Sequence, residues 1–271
     1  MRSLQQIDRW PADHVSAAVV TRDGEVRGTR GDADRVYELA SVTKLLTAYA
    51  MLVALEEGAF ELDDPAGPPG ATIRHLLAHA SGLDFDSPEV RAAPGDRRIY
   101  SNTGFEALAR TLTERSEIEF ADYLREAVLD PLAMTSTALD GSPAAGARSS
   151  LTDLIRFATE LQRPTLVDAS TFGAATTVEF SGLDGVLPGF GRQRPNDWGL
   201  GFELRDGKDP HWTGASSSPE TFGHFGQSGT FLWVDPRAGA ACVVLTDRDF
   251  GPWAAEAWPV LTDAILAELR D

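Results

Sequence analysis

The stretch "ELASVTKLLTAYAMLVAL", residues 38–55, predicts a helix that is apolar on almost every side. We expect such a helix to be buried all round, and Gly58 beyond its end suits the left-handed residue that terminates many helices. The stretch nevertheless contains Lys44, three residues after Ser41. Only two of the 24 basic residues in the chain are lysines, so a lysine inside this apolar helix needs a reason.

Ser41 and Lys44 form a candidate catalytic pair. At positions i and i+3 of one helix, their side chains lie on the same face. Free backbone N–H groups at the start of a helix can stabilise an oxyanion. Burial lowers the pKa of an amine, so Lys44 can take a proton from the serine, whereas an arginine cannot. A structural explanation stays open, with Ser41 as a helix cap and Lys44 reaching toward solvent.

Composition and charge exclude several classes of protein. The length of 271 residues suits one domain with a large insertion or two interlocked domains. The net charge of −17 argues against nucleic acid or an anionic membrane surface as a partner. The first residues lack a secretory signal, no segment has the ~18–20 apolar residues of a membrane span, and Cys242 is the only cysteine. These features predict a cytoplasmic protein.

Strand patterns lie at both ends of the chain and helical patterns in the middle. Residues 15–30 predict a hairpin around an Asp-Gly turn, and "TFLWVD" with "AACVVLTD" predicts a second hairpin. The helical patterns are "IRHLLAHA", "GFEALARTLTERS", "FADYLREAVL", "SLTDLIRFATEL" and a closing helix with Pro259 at a candidate break. We therefore predict an α+β fold with an antiparallel sheet from residues 1–60 and 195–271, a mostly helical insertion at 61–194, and the active site between them.

Tyr100 and Asn102 form a second candidate pair, just before the helical pattern "GFEALARTL". A phenol beside a lysine can relay a proton. An amide can contact both Lys44 and a substrate carbonyl. The structural alternative is a buried tyrosine next to an asparagine that caps the helix.

Together these residues resemble the serine β-lactamase and penicillin-binding protein superfamily. The similarity is to its class C β-lactamase-like branch, which includes family VIII carboxylesterases and D-stereospecific peptidases. Three motifs occur in family order: Ser41-x-x-Lys44, Tyr100-x-Asn102 and His224-Phe225-Gly226. The blocks around them are also similar to the family: "ELASVTKLLTA", "ATIRHLLAHASGL", "YSNTGFEALARTLTERSEIEFADYLREAVLDPLAMTST" and "FGHFGQSGTFLWVDPRAGAACVVLTDR".

The resemblance implies a serine hydrolase that works through an acyl-Ser41 intermediate, without a metal or cofactor. Lys44 and Tyr100 would share the acid–base chemistry, and Asn102 would position Lys44 and the acyl group. The oxyanion would be held by the backbone N–H groups of Ser41 and Gln227, which follows the third motif on an edge strand. Removing one such donor typically costs about 3 kcal/mol of transition-state stabilisation.

Departures from the family pattern concern the substrate. Related β-lactamases and D,D-peptidases place Lys-Thr-Gly or Lys-Ser-Gly in the third motif, where the cation and hydroxyl bind a carboxylate. Here His224 is largely neutral at pH 7 for an ordinary pKa of ~6.5, and Phe225 replaces the hydroxyl. The Glu-x-x-Leu-Asn element of class A β-lactamases is also absent. A small-molecule ester or amide is therefore the predicted substrate. The alternatives are a β-lactam or D-peptide, or a non-catalytic binding protein with this fold.

Other candidate sites are weaker. His75 and His79 stand four apart in a helical pattern, but the glutamate of the His-Glu-x-x-His motif is missing, so no metal site is predicted. Neither the nucleophile elbow of α/β-hydrolases nor a complete dinucleotide-binding loop occurs. Trp198, Trp212 and Trp233 could line an acyl pocket or pack in the core, and the sequence does not indicate an oligomeric state.

Overall fold

A computed structural model describes residues 1–270 and contains one large antiparallel sheet. The strands, in chain order, are β1 (Val15–Thr21), β2 (Val26–Arg30), β3 (Val36–Glu38), β4 (Ala138–Leu139), β5 (Ala147–Ser150), β6 (Gly185–Leu187), β7 (Gly191–Gln193), β8 (Glu203–Leu204), β9 (Phe222–Gly226), β10 (Thr230–Asp235) and β11 (Ala240–Thr246). The large sheet has the order β2-β1-β11-β10-β9-β8. Smaller sheets are β3-β5-β4 and β6-β7. Both predicted hairpins, β1-β2 and β10-β11, are confirmed.

Seven α-helices occur in the described part of the chain. They are α1 (Thr43–Glu56), α2 (Ile73–Leu77), α3 (Asn102–Ser116), α4 (Phe120–Leu124), α5 (Leu151–Gln162), α6 (Ala169–Ala175) and α7 (Pro252–Glu268). Helix α7 continues through Pro259, so the candidate break at this proline was wrong. Buried neighbours such as Trp258 and Leu261 fix this part of α7 in the core, which offsets the missing N–H of the proline. No helix within residues 1–270 is long and apolar enough to cross a membrane.

Both faces of the inner strands of the large sheet are buried, whereas most of the edge strand β2 is exposed. Along β1, Ala17 and Val19 belong to one apolar cluster and Ala18 to another, because successive side chains of a strand point to opposite faces. Residues of α7, including Trp258, complete the first cluster, while α5 lies against β1 and β11 on the other face. This antiparallel sheet flanked by helices confirms the predicted α+β architecture. The domain bounds 1–60, 61–194 and 195–271 stay a prediction.

Helix α1 runs through the centre of the molecule. Its residues from Thr43 to Ala54 are all buried, which confirms the burial predicted from its apolar sequence. Gly58 follows the helix with a φ of +76°, the left-handed conformation expected there. Helix α1 contacts α3, α4 and the end of the sheet at β9. Its first turn therefore lies where all three candidate motifs can meet.

Candidate active site

Ser41 lies in a single 3-10 turn, Ala40–Val42, that leads from β3 into α1. Ala40 has a φ of +43°, a left-handed conformation that is uncommon for a residue with a Cβ. The Thr230 hydroxyl donates to Leu39 O at 2.9 Å and fixes the entrance to this turn. Ser41 is partly exposed, whereas Lys44 is fully buried. The turn thus presents the serine to a cleft and holds the lysine beneath it.

The Lys44 amine has three oxygen neighbours. Its Nζ lies 2.6 Å from Asn102 Oδ1, 2.9 Å from Ala144 O and 3.4 Å from Ser41 Oγ. A neutral amine has two N–H donors and one lone pair. Donation to the two nearer oxygens leaves the lone pair facing the Ser41 hydroxyl. This geometry suits transfer of the serine proton to Nζ.

The surroundings of Lys44 also change its acidity. Burial lowers the pKa of Lys44 from its ordinary value of 10.5 to about 7, and the nearby carboxylates of Asp86 and Glu106 oppose this shift. A pKa near 7 leaves a large fraction of the amine neutral at physiological pH. A base is most effective when its pKa lies near the working pH, so Lys44 is well suited to accept a proton.

Tyr100 lies over the same amine. Its ring centroid is 4.6 Å from Lys44 Nζ, and the ring also packs against His79, Trp198 and His224. Burial raises the pKa of Tyr100, while a hydrogen bond with Ser41 opposes the shift. The phenol is therefore protonated at neutral pH. In this state it can donate a proton or a hydrogen bond, but it is a poor candidate for the base.

Asn102 is the first residue of α3, and it does not cap that helix. Ser101 is the cap, since its hydroxyl accepts from the N–H of Gly104 at 3.0 Å. The Asn102 side chain is thus free to reach Lys44 through Oδ1. Its Nδ2 lies 3.4 Å from Asp86 Oδ1, and this contact directs the other end of the amide toward the lysine.

His224 of the third motif is buried and uncharged. Burial lowers the pKa of His224 to about 3, and the charge of Lys44 adds to the effect. In the neutral ring, Nδ1 is assigned as the donor to Phe225 O at 2.6 Å. The Nε2 atom is buried and meets no hydrogen-bond partner within residues 1–270. The third motif therefore supplies no cation for a substrate carboxylate.

As part of the third motif, the Phe225 side chain was expected to contact the substrate, but the structure places it away from the cleft. Its ring points to the opposite face of β9 from His224, because side chains alternate along a strand. It is only 8% exposed and packs against Trp212, Phe250 and Trp258. We therefore revise its role: the ring supports β9 from behind rather than lining the cleft.

Strand β9 approaches the turn around Ser41 most closely at Gly226. A Cβ added to Gly226 would lie 2.3 Å from Leu39 O, so any larger residue would push the two segments apart. The next backbone N–H, that of Gln227, has no acceptor within residues 1–270, and Gln227 O is held by the N–H of Phe250 at 2.7 Å. Strand β8 pairs only with the first two residues of β9, so this end of the edge is open. A free, fixed N–H next to the serine turn is what an oxyanion site requires.

The family model described as Beta-lactamase matches residues 12–266 of the chain. The chain belongs to the Beta-lactamase family. It is 57% identical to a solved structure described as a β-lactamase from Mycobacterium bovis, with 98% of this chain and 99% of that chain covered and a TM-score of 0.97. Membership confirms the predicted resemblance, and proteins of this family are serine hydrolases.

The curated relatives of this chain are named for different activities. The D-alanyl-D-alanine-carboxypeptidase/endopeptidase AmpH of Escherichia coli K12 is 28% identical over 193 residues, which cover 51% of this chain and 50% of AmpH. Esterase EstB of Burkholderia gladioli is 34% identical over 96 residues, covering 26% of this chain and 24% of EstB. The chain thus spans half or less of the length of these relatives, and the family leaves the substrate open.

Sequence reasoning missed two groups of this Beta-lactamase family site. Ala144 contributes through its backbone carbonyl, which no residue type can signal, and Asp86 reaches Asn102 from a loop in which no motif marks it. The three tryptophans lie in two different environments. Trp198 packs against Tyr100 and His224 at the site, whereas Trp212 and Trp233 belong to the apolar cluster behind the sheet.

The two histidines considered for a metal do not share a helix. Helix α2 ends at Leu77, and His79 lies beyond it with a φ of +54°. His79 Nδ1 accepts the N–H of Ser101 at 3.1 Å, and His75 stacks on Phe180. The His79 ring therefore holds the segment before α3 in place, and the His75 ring packs against the loop that carries Phe180.

The other lysine of the chain, Lys208, is also buried. Its Nζ forms an ion pair with Glu203, whose second carboxylate oxygen contacts His211 Nε2 and Trp212 Nε1, each at 2.9 Å. Opposite charge at Lys208 and His211 lowers the pKa of Glu203 to about 2 against the effect of burial. Because Glu203 lies on β8, this network fastens the loop beside β9. Lysine is rare in this chain, and Lys208 is the second of its two lysines.

Proposed function

We propose that this chain hydrolyses small esters or amides through an acyl-Ser41 intermediate. The observation that carries the proposal is the buried Lys44 amine, with a pKa of about 7 and its Nζ 3.4 Å from Ser41 Oγ. Burying an amine costs free energy, and Lys44, unlike Lys208, forms no ion pair within residues 1–270 that would offset this cost. This cost argues against the alternative of a non-catalytic binding protein.

Acylation follows from the contacts around Ser41. Neutral Lys44 accepts the hydroxyl proton as Ser41 Oγ attacks the substrate carbonyl. The backbone N–H groups of Ser41 and Gln227 stabilise the oxyanion of the tetrahedral intermediate. Collapse of this intermediate breaks the bond to the leaving group, which takes a proton from Tyr100, and Tyr100 regains one from protonated Lys44. Asn102 holds the lysine in place throughout.

Deacylation repeats the same steps with water. The neutral Lys44 amine takes a proton from a water molecule that attacks the acyl carbonyl, directly or through Tyr100. The oxyanion forms in the same place, and its collapse releases the carboxylic acid. The bond between the acyl carbon and Ser41 Oγ breaks, and Oγ takes the proton back from Lys44. No metal or cofactor is needed in this cycle.

The substrate preference rests on the third motif. Neutral His224 offers no positive charge, and Phe225 offers no hydroxyl. A carboxylate placed there, as in a β-lactam, would be poorly recognised.

Small molecules are the proposed partners, and the reducing cytoplasm is the proposed location, since the single cysteine, Cys242, is buried and free.

A substrate panel tests the proposal. We expect p-nitrophenyl acetate and butyrate to be hydrolysed with a kcat/KM about 10- to 100-fold above that of a chromogenic cephalosporin. The cephalosporin carries a carboxylate, and the third motif lacks the charged hydrogen bond, worth about 1.5–3 kcal/mol, that would bind it. Identity to a structure described as a β-lactamase favours the second candidate, β-lactam hydrolysis. Faster turnover of the cephalosporin would establish that candidate, and no turnover of either class would favour a binding protein.

The pH dependence of activity gives an independent prediction. We expect kcat/KM for a neutral ester to rise with pH through about 7 and then stay level to about pH 9, because only the neutral Lys44 amine accepts the proton. The pKa of His224 is lowered to about 3 and that of Tyr100 is raised, so neither group titrates in this range. A profile that is flat from pH 5.5 to 8.5 would contradict the role of Lys44.

A further inference from the structure

A cavity of about 550 Å³ lies beside Tyr100, between the loop at 85–99 and the β6-β7 hairpin. Phe85 and Val186 belong to its lining and are 49% and 58% exposed. The ring of Phe85 stacks on that of Tyr100, with centroids 5.9 Å apart. Exposed apolar side chains gathered in a cavity next to a reactive group indicate a surface that binds a ligand.

Arginines form much of the remaining lining, and two of them are already engaged. Arg91 forms ion pairs with Asp84 at 2.8 Å and Glu89 at 2.7 Å. Arg98 is buried, and its guanidinium donates to backbone carbonyl oxygens. These two arginines shape the wall, and little of their hydrogen-bonding capacity is left for a ligand.

The other two arginines, Arg97 and Arg192, are exposed at the cavity. Among residues 1–270, Arg97 forms no ion pair, and the guanidinium of Arg192 pairs only with Asp184, at 3.5 Å. That carboxylate is shared with Arg194 at 3.3 Å. The cavity therefore presents an excess of positive charge in a chain whose net charge is −17. Positive charge in a concave surface attracts small anions.

We infer that this cavity binds an apolar part of the substrate that ends in a carboxylate or a similarly small anion, paired with Arg97 and Arg192. The inference rests on the proposed function, because Tyr100 both lines the cavity and contacts the reaction centre. Guanidinium groups form charge-assisted hydrogen bonds with carboxylates. The anion is thus recognised by Arg97 and Arg192 in the cavity and not by the third motif, where His224 is neutral.

Matched pairs of esters test the inference. One pair places the anion on the acyl side, mono-p-nitrophenyl glutarate against p-nitrophenyl pentanoate. The other places it on the leaving group, 4-acetoxybenzoate against its methyl ester. We expect the double variant Arg97→Gln/Arg192→Gln to lower kcat/KM for the anionic member of at least one pair by about tenfold, and to leave its neutral partner within about twofold. The preference of the wild type should weaken as salt is added.

Arg194→Gln is the matched control, because Arg194 lies just after the same hairpin and pairs with Asp184 but does not line the cavity. We expect this variant to keep the wild-type preference. An enzyme that hydrolyses the neutral esters, but whose double variant leaves every anionic-to-neutral ratio unchanged, would overturn the inference. The proposed function would still stand in that case.

Binding can also be measured without turnover. In Ser41→Ala, calorimetric titration should give a Kd about tenfold lower for the anionic member of the preferred pair than for its neutral partner, and adding Arg97→Gln/Arg192→Gln should remove the difference. If the wild type hydrolyses no ester but this difference in Kd is present, the proposed function fails and the anion site stands. Equal Kd values within both pairs would overturn the anion site.

Discussion

Replacing Lys44 with methionine is expected to lower kcat for p-nitrophenyl acetate by about 10³-fold or more, with the protein still folded. Methionine fills nearly the same volume but has no amine to accept the Ser41 proton. Removal of a buried, partly charged group also relieves a desolvation cost, which offsets the loss of the hydrogen bonds to Asn102 Oδ1 and Ala144 O. Steady-state kinetics, with thermal unfolding followed by circular dichroism, measures both effects.

Lys44→Arg separates charge from basicity. Arginine keeps a positive charge at this position but cannot deprotonate in this pH range, so we expect a similar loss of kcat. Its larger head group enters a site already filled by the rings of Tyr100 and Phe105, whose centroids lie 4.6 and 5.5 Å from Nζ. Some loss of stability, about 1–3 kcal/mol, is therefore expected for this variant.

Thr47→Val is the control for both lysine variants. Thr47 is buried one turn further along α1 and donates to Pro143 O at 2.6 Å, next to the carbonyl that holds Lys44. We expect this change to lower the Tm while kcat stays within about tenfold of wild type, because no proton is transferred at this position. If Lys44→Met or Lys44→Arg kept activity close to wild type, Lys44 would not be the proton acceptor.

The sequence predicted those parts of the molecule in which side-chain chemistry or periodicity carries the information. Helix α1 was predicted to be buried because it is apolar all round, and β10 and β11 because apolar runs flank a turn. The position of Lys44 beside Ser41 was predicted from the i, i+3 spacing of one helix, although Ser41 lies in the 3-10 turn that precedes α1. The nearness of Tyr100 and Asn102 followed only from the resemblance to a known family.

Other features depend on tertiary packing, which a single sequence does not show. The Ala144 carbonyl that holds Lys44 is a backbone group supplied by a distant loop. The direction of Phe225 depends on which face of β9 turns toward the cleft, and the register of a strand was not predicted. Pro259 would end many helices, but here the buried contacts of α7 outweigh its effect.

Ser41→Ala is expected to reduce ester hydrolysis by about 10⁵-fold, because removing the nucleophile abolishes the covalent route and leaves only the binding and oxyanion groups. Ser41 is partly exposed and forms part of a short turn, so the free energy of unfolding should change by no more than about 0.5 kcal/mol. Ser228→Ala is the matched control: this serine is also partly exposed, and its hydroxyl donates to Glu38 O at 2.7 Å and lies 3.2 Å from Thr230 Oγ1. We expect the control to keep most of the activity.

The role of Ser41 as the nucleophile is tested most directly by intact-mass analysis after incubation with a fluorophosphonate, which phosphonylates a reactive serine with loss of fluoride. The mechanism predicts a single covalent adduct in the wild type and in Ser228→Ala, located at Ser41 by peptide mapping, and no adduct in Ser41→Ala. A wild type that stays unlabelled, or a label that persists in Ser41→Ala, would contradict the assignment of Ser41 as the nucleophile.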